Sequence, residues 1–450
     1  MLMKAESGGF RGRMDLGTWA LLLSALGLVL IGSISILSAA SPLPYYSRII
    51  QTHFTALTIG ILAFLFGMGL NYQIFSDQSK IVYAFTLAIL ITVLIFGRTI
   101  RGHRSWLRFG GMTFQPTEMA RVTMVLVLAN FLDKRANKMH TLGAVVQAGA
   151  LVAPILLLIL KQPDFSSTVI FFLVILAMLF AAGASISHLL SLAGFGGITF
   201  MLPVAWTLLS YRPEILALHP ALSFFASLAH PGINLALTMV GIFVAGAVLW
   251  RLSVMARVPL HWVYFVTSSA IVAAGLASGV VINHQIKDYQ RNRFVAIVAP
   301  EADPQGAAYN VNQALVAIGS GGIRGKGIFQ GTQSRLGFLP ERHTDFIFAV
   351  VGEEMGFWGA GGALLLYLVL IWRIVTAARV ARDRYGFLVC TGIAAMFAGH
   401  LIINAGMCLG IFPVAGVPLL MLSYGGSSLV TTLWALGIVL NVHSRHYSFV

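Results

Sequence analysis

Apolar runs of helix length recur along the whole chain, separated mostly by short polar connections. Twelve of them predict helices near residues 19–39, 53–70, 81–97, 116–132, 144–160, 166–184, 185–209, 234–253, 258–282, 346–372, 387–411 and 414–442. Most approach the length that carries a helix across roughly 30 Å of hydrocarbon. Gly, Pro and His interrupt the seventh to ninth runs. The pattern predicts an all-α, polytopic membrane bundle of about 12 transmembrane helices, forming one integral membrane domain over residues 1–450. The first run, Trp19 to Ala39, is too long for a signal peptide and lacks a small-residue cleavage site, so it reads as the first span.

Composition agrees: 58% hydrophobic, 10% charged and a mean hydropathy of +0.86 exclude an ordinary soluble globular protein. The formal charge of +14 points to anionic partners. Most of that charge lies between spans, so acidic head groups or a phosphorylated lipid fit better than nucleic acid. Cys390 and Cys408 both fall in apolar runs and form no metal-ligand pattern.

Charge also orients the chain. With both termini cytoplasmic, Lys134, Arg135, Lys138, Arg251, Arg257, Arg373, Arg379, Arg382, Arg384 and Arg445 all lie inside, the positive-inside pattern. Two connections break it on the outer face. The stretch from Arg98 to Gln115 carries Arg98, Arg101, Arg104 and Arg108. Residues 283–344 form a large extracytoplasmic loop carrying Lys287, Arg291, Arg293, Arg324, Lys326, Arg335 and Arg342. About sixty residues between spans suggests function rather than connection.

The outer face gathers Glu118, Asp164, Asp288, Glu301, Asp303, Glu341 and Asp345 among these arginines. Glu118 and Arg121 share a helix face, where they either serve the site or form an intrahelical ion pair that eases insertion. Asp164, after Gln162-Pro163, has a capping reading beside a functional one. Asp345 ends a polar run, Gly331 to Thr344, directly before the apolar helix from Phe346. It is either that helix's cap or a carboxylate tuned by Glu341, Arg342 and His343. Glu353 and Glu354 lie about two turns further in, roughly 12 Å along the helix at 1.5 Å per residue, so at least one must face protein or water. Gly319 to Gly327 lacks P-loop spacing, and Ser423 to Ser428 reads as an interrupted helix or a close-packing site.

Several stretches, in order, resemble the SEDS (shape, elongation, division and sporulation) proteins. They are Gly102 to Gly110 with Trp106, Phe114 to Glu118, Gln162 to Phe165, Asp288 to Arg293, Asp303-Pro304 and Gly306 to Asn310. They continue with Ile318 to Glu354, Asn404 to Gly410, Pro413 to Pro418 and Ser423 to Ser428. Gly331 to Ser334 and Pro340 to His343 are more similar to the elongation branch, RodA, than to the division branch, FtsW, which tends to carry Ala where Arg342 stands.

The resemblance implies a peptidoglycan glycosyltransferase that polymerises lipid II on the outer face of the bacterial cytoplasmic membrane, in cell-shape maintenance and cell-wall biogenesis. Its essential carboxylate is the aspartate of His343-Thr344-Asp345-Phe346, with Trp106, Glu118, Asp164 and Glu341 around the same cavity. Gln115, Arg121, Lys326, Gln333, His343 and Ser423 complete the candidate cavity set. Arg101, Arg104, Arg291, Arg293 and Arg342 are candidates to stabilise the diphosphate. Expected partners are lipid II, a class B penicillin-binding protein acting as transpeptidase, and other membrane proteins of the elongation complex. No dedicated metal site is legible, although a divalent cation, Mg or Mn, suits a diphosphate leaving group. The chain departs from the family's usual ten spans by about eighty extra residues between Asp164 and Asp288, read as two inserted spans within 185–282. Two alternatives stay open: a lipid II flippase or transporter, and the division-type glycosyltransferase.

Overall fold

A computed structural model describes residues 16–100, 103–109, 112–211, 213–258, 260–298 and 306–445. The helices, in order, begin with α1 (Leu16–Ala40), α2 (Tyr46–Gly69), α3 (Gln73–Asp77), α4 (Ser79–Phe96), α5 (Pro116–Lys134), α6 (Leu142–Lys161) and α7 (Phe165–Ala181). Next come α8 (Ile186–Ser210), α9 (Pro213–Leu218), α10 (Pro220–Ser227), α11 (Ile233–Met255) and α12 (Trp262–Gln285). The chain continues through α13 (Asp288–Val298), α14 (Ala307–Gly321), α15 (Thr332–Arg335), α16 (Ile347–Arg379), α17 (Arg384–Cys408) and α18 (Gly426–Ser444). Every predicted apolar run overlaps one of these helices.

Among the described residues, ten helices are long and apolar enough to cross a membrane, and the chain is an integral membrane protein. The two remaining helices among the twelve predicted are α5 and α7. α7 is short, at 17 residues. α5 carries Glu118, Arg121, Asp133 and Lys134, yet nearly all of it is buried. A helix surrounded by protein tolerates charge that a lipid-facing helix cannot. α17 and α18 are similarly enclosed, whereas α11 buries only Gly246 and otherwise shows apolar side chains outward.

The all-α expectation fails at one place. β1 (Arg98–Ile100), β2 (His103–Phe109) and β3 (Met112–Phe114) form a small antiparallel sheet in the order β1-β2-β3. Arg98 pairs with Trp106, and Leu107 with Phe114. His103 to Phe109 alternates too briefly, and carries too much charge, to stand out from a loop.

The last predicted helix, 414–442, is also corrected. α18 starts only at Gly426, and residues 409–425 form turns and irregular structure. Pro413 and Pro418 cannot supply helical N–H donors, and Gly416 has φ +66°. The expected loop at 283–344 begins inside α12 and contains α13, α14 and α15.

Glycines let helices approach closely without a hydrophobic drive in lipid. A Cβ on Gly437 of α18 would come within 2.3 Å of Phe64 O on α2, and one on Gly67 within 2.8 Å of Trp434 O. Gly437→Ala is therefore expected to destabilise the protein by about 1–3 kcal/mol. Gly361→Ala, which meets nothing within 4 Å, should leave stability equal or slightly higher. Thermal unfolding in detergent compares the two, and equal midpoints would rule out close packing at Gly437.

α16 is interrupted at Gly356, where φ is +65°. The released carbonyls of Glu353 and Glu354 accept the Lys326 and Gly327 amides, each at 3.0 Å, while the Phe357 amide donates to Gly322 O at 2.8 Å. The two carboxylates finish the clamp. Glu353, fully buried, accepts Lys326 Nζ (3.0 Å), Thr332 Oγ1 (3.0 Å) and the amides of Gln333 (2.8 Å) and Ser334 (3.1 Å). Glu354 accepts Ser38 Oγ (2.5 Å) and the Phe329 amide (3.4 Å). Both glutamates thus face protein and hold residues 322–334 against α16.

Candidate active site

A buried stretch without helical pairing needs partners for its backbone groups, and residues 409–425 find them on four helices. Ser166 Oγ of α7 and Arg293 Nη1 of α13 donate to Ala415 O, at 2.5 and 3.4 Å. Asn404 Nδ2 of α17 donates to Val417 O at 2.7 Å, and His400 Nδ1 pairs with Pro418 O at 2.9 Å. The Tyr367 hydroxyl of α16 donates to Leu420 O. Within the segment, the Leu419 amide donates to Ser423 Oγ at 2.8 Å.

Asp345 faces this segment. It is not the cap of α16: the helix starts at Ile347 after Phe346, with no side-chain cap. The turn before it is fixed by Glu341, whose φ of +52° lies in the left-handed region. Glu341 O accepts the Thr344 and Phe346 amides (3.1 and 3.3 Å), and its carboxylate accepts Thr344 Oγ1 at 3.1 Å. Asn404 Nδ2 also donates to Asp345 O at 2.9 Å, so one amide ties the aspartate to the irregular segment. A Cβ on Gly416 would lie 3.0 Å from Arg293 Nη1 and 3.5 Å from Asp345 Oδ2. The guanidinium and the carboxylate therefore share the open face of that glycine.

α13 brings Arg293 there and is itself clipped in place. Gln290 Nε2 donates to Pro163 O at 2.9 Å, and the Arg293 guanidinium lies 5.7 Å from the Tyr289 ring centre. Asp164 caps α7, accepting the Ser167 amide at 3.1 Å and Ser167 Oγ at 2.7 Å. Gln115 Nε2 reaches the same carboxylate at 3.4 Å. Burial raises the Tyr289 phenol to about 12, with Arg293 opposing and Asp164 assisting. It stays protonated at neutral pH. Gln115, Asp164, Tyr289, Arg293, Gly416, Asn404 and Asp345 thus form one continuous arc.

The family model for the FtsW, RodA and SpoVE cell cycle proteins matches residues 14–231 and 231–448. The chain belongs to that family. Peptidoglycan glycosyltransferase RodA of Treponema pallidum is 31% identical over 436 residues, covering 95% of this chain and 97% of its own. Peptidoglycan glycosyltransferase MrdB of Escherichia coli is 29% identical over 389 residues, covering 86% and 84%. A chain from a peptidoglycan synthase complex, solved to explain how polymerization and crosslinking are coordinated, superposes with TM-score 0.64 at 26% identity, covering 96% and 98%. The rod shape determining protein RodA of Thermus thermophilus shares the fold, with TM-score 0.58 at 24% identity, covering 96% and 97%.

Other candidates on this FtsW/RodA/SpoVE scaffold are committed elsewhere. Arg291 donates to Thr207 Oγ1 (3.1 Å) and Asn283 O (2.7 Å), tying α13 to α8 and α12. Arg342 Nε donates to Ala39 O at the end of α1 (2.8 Å), and burial lowers its pKa. Lys326 and Gln333 join the Glu353 clamp. His343 packs on Tyr424, with ring centres 5.5 Å apart, and accepts the Tyr424 amide. Ser423 holds Leu419. Glu118 and Arg121 form a buried pair at 2.9 Å. Trp106 is half-buried on β2. Arg101, Glu301 and Asp303 lie outside the described residues, as does the side chain of Arg104.

Asn404, Gly416, Tyr289, Gln290 and Ser166 are additions that sequence reasoning did not select as site residues. A lone Asn in an apolar helix was a signal for the first. The role of Gly416 depends on two side chains from distant segments. Among the described residues no group of three His, Cys, Asp or Glu stands together as metal ligands, and these residues do not fit a dedicated metal site.

Proposed function

We propose that this chain is a peptidoglycan glycosyltransferase of the elongation type, polymerising lipid II at the outer face of the bacterial cytoplasmic membrane. The observation that carries the reading is Asp345 beside Arg293 across Gly416, in a chain that matches the RodA relative over nearly its whole length. Twelve crossing helices, with α5 and α7 joining the ten apolar ones, leave both termini cytoplasmic and the arc around Asp345 outside. The inserted spans of 185–282 keep that parity.

The leaving group is undecaprenyl diphosphate, a stabilised anion that needs no protein acid, so one base suffices where glycosidases use two carboxylates. Asp345 takes the proton from the 4-hydroxyl of the acceptor GlcNAc. The oxygen attacks C1 of the donor MurNAc, the bond from C1 to the diphosphate oxygen breaks, and a β-1,4 linkage forms with inversion. Arg293 meets the charge that develops on the diphosphate. Its loss in Arg293→Ala is expected to lower kcat by roughly 10²–10³-fold. Arg293→Lys should recover part of this, since an ammonium keeps the charge without the planar fork. An unchanged rate in Arg293→Ala would assign the diphosphate to another cation.

A class B penicillin-binding protein is the proposed partner, alongside other elongation-complex proteins. The test is lipid II polymerisation by purified protein in detergent, with and without its cognate transpeptidase. Glycan strands support the enzyme, because a transporter has no two compartments to connect there. No strands with the partner present would return the reading to translocation.

A further inference from the structure

We propose that the extra helices between Asp164 and Asp288 form a bracket for α13, and that Arg291 is the positioning residue through which this bracket aims Arg293 at Asp345. The kinetic part rests on the glycosyltransferase reading; the bracket itself does not.

α13 cannot hold itself in place. At 11 residues it is shorter than the roughly 12–15 at which an isolated helix becomes even marginal in water. Arg293 adds little to its docking. The bond from Arg293 to Ala415 O is long, at 3.4 Å, and its ring contact is with Tyr289 of the same helix. The position of that guanidinium is therefore set by the way α13 is anchored.

Arg291 supplies the anchor. Two steps along a helix turn it by about 200°, so Arg291 and Arg293 leave α13 on opposite faces. Arg291 Nη1 donates to Thr207 Oγ1 of α8 at 3.1 Å, and Nη2 donates to Asn283 O of α12 at 2.7 Å. Both acceptors suit a guanidinium. Thr207 is fully buried and spends its own hydroxyl proton on Pro203 O at 2.7 Å, which leaves the oxygen to accept. Asn283 O belongs to the last turn of α12, where carbonyls lack helical donors and the helix dipole is negative. Phe294, three residues on and so on the same face as Arg291, packs with Ile282 and Ile286.

α10 (Pro220–Ser227) and the turn after it fix both acceptors. Trp206, beside Thr207, donates Nε1 to Phe225 O at 3.0 Å. Asn283 Nδ2 donates to Ala229 O at 3.2 Å. Leu228 and Ala229 close over Trp206, Leu276 and Val280 in an apolar cluster of their own. The ends of α8 and α12 are thereby locked together and present two oxygens to one planar fork.

The test uses the full-length protein, with lipid II polymerisation kinetics in the presence of its transpeptidase and amide exchange across residues 288–298. Arg291→Ala should speed exchange in α13 and lower kcat by about 10–100-fold, with KM for lipid II unchanged. Arg291→Lys, which keeps the charge without the fork, should recover part of both. Asn283→Ala keeps the carbonyl that Arg291 grips but frees the turn at Ala229. It should move both readouts the same way by less, and it carries the test if Arg291→Ala fails to fold. The deciding measurement is a double-mutant cycle. In an Arg293→Ala background, Arg291→Ala should lower kcat no further, because the group it positions is gone. Losses that multiply would overturn positioning through Arg293. Exchange unchanged in both Arg291→Ala and Asn283→Ala would overturn the bracket. Wild-type protein without polymerisation would instead overturn the glycosyltransferase reading, leaving exchange to decide on the bracket.

Discussion

Asp345→Asn is expected to stop glycan synthesis while leaving the protein folded and bound to its transpeptidase. The substitution changes one atom and removes the base. Asn404 holds the backbone carbonyl of residue 345, not its carboxylate, so that bond survives. The turn before it depends on Glu341 O and Thr344, which the substitution does not touch. Loss of a general base lowers rates by typically 10²–10⁴-fold. Lipid II turnover by detergent-purified wild type and variant, with partner binding as the folding control, measures the effect. A variant within a few-fold of wild type would move the base to Glu341 or Asp164.

How far the sequence reveals this arrangement differs by level. Long, mostly apolar runs are legible as helices from composition alone, as in α6 and α11. α5 was legible only as a run broken by Glu118 and Arg121, whose ion pair closes inside the bundle. The segment from Pro413 to Leu422 is apolar enough to pass for the start of a helix. Its irregular course becomes clear only through the side chains that meet its carbonyls, which come from α7, α13, α16 and α17. Asp345 stood out locally, since a carboxylate at the edge of an apolar helix needs a reason. Arg293 did not. Arg291, Arg293 and Arg342 look equivalent in sequence, and only tertiary placement sends one to Thr207, one to Asp345 and one to Ala39.

Glu353→Ala is expected to be the most damaging change outside that arc, and the clamp explains why. The carboxylate is fully buried and meets four donors: an ammonium, a hydroxyl and two backbone amides. Removing it strands the Gln333 and Ser334 amides and the Lys326 charge together, a loss of about 3–5 kcal/mol by analogy with broken buried pairs. Lys326→Ala should be far milder, about 1 kcal/mol, because Glu353 keeps three donors and the lysine is already a quarter exposed. This asymmetry separates a clamp from a simple salt bridge, in which either deletion would weaken the protein alike. The released segment, 322–334, leads into the turn that carries Asp345, so activity should fall with stability in Glu353→Ala. Amide exchange across residues 325–335 in both variants reads the difference directly. Equal protection in Glu353→Ala and wild type would mean that the loop is held by its backbone pairing with Glu353 to Trp358, and that the carboxylate adds little.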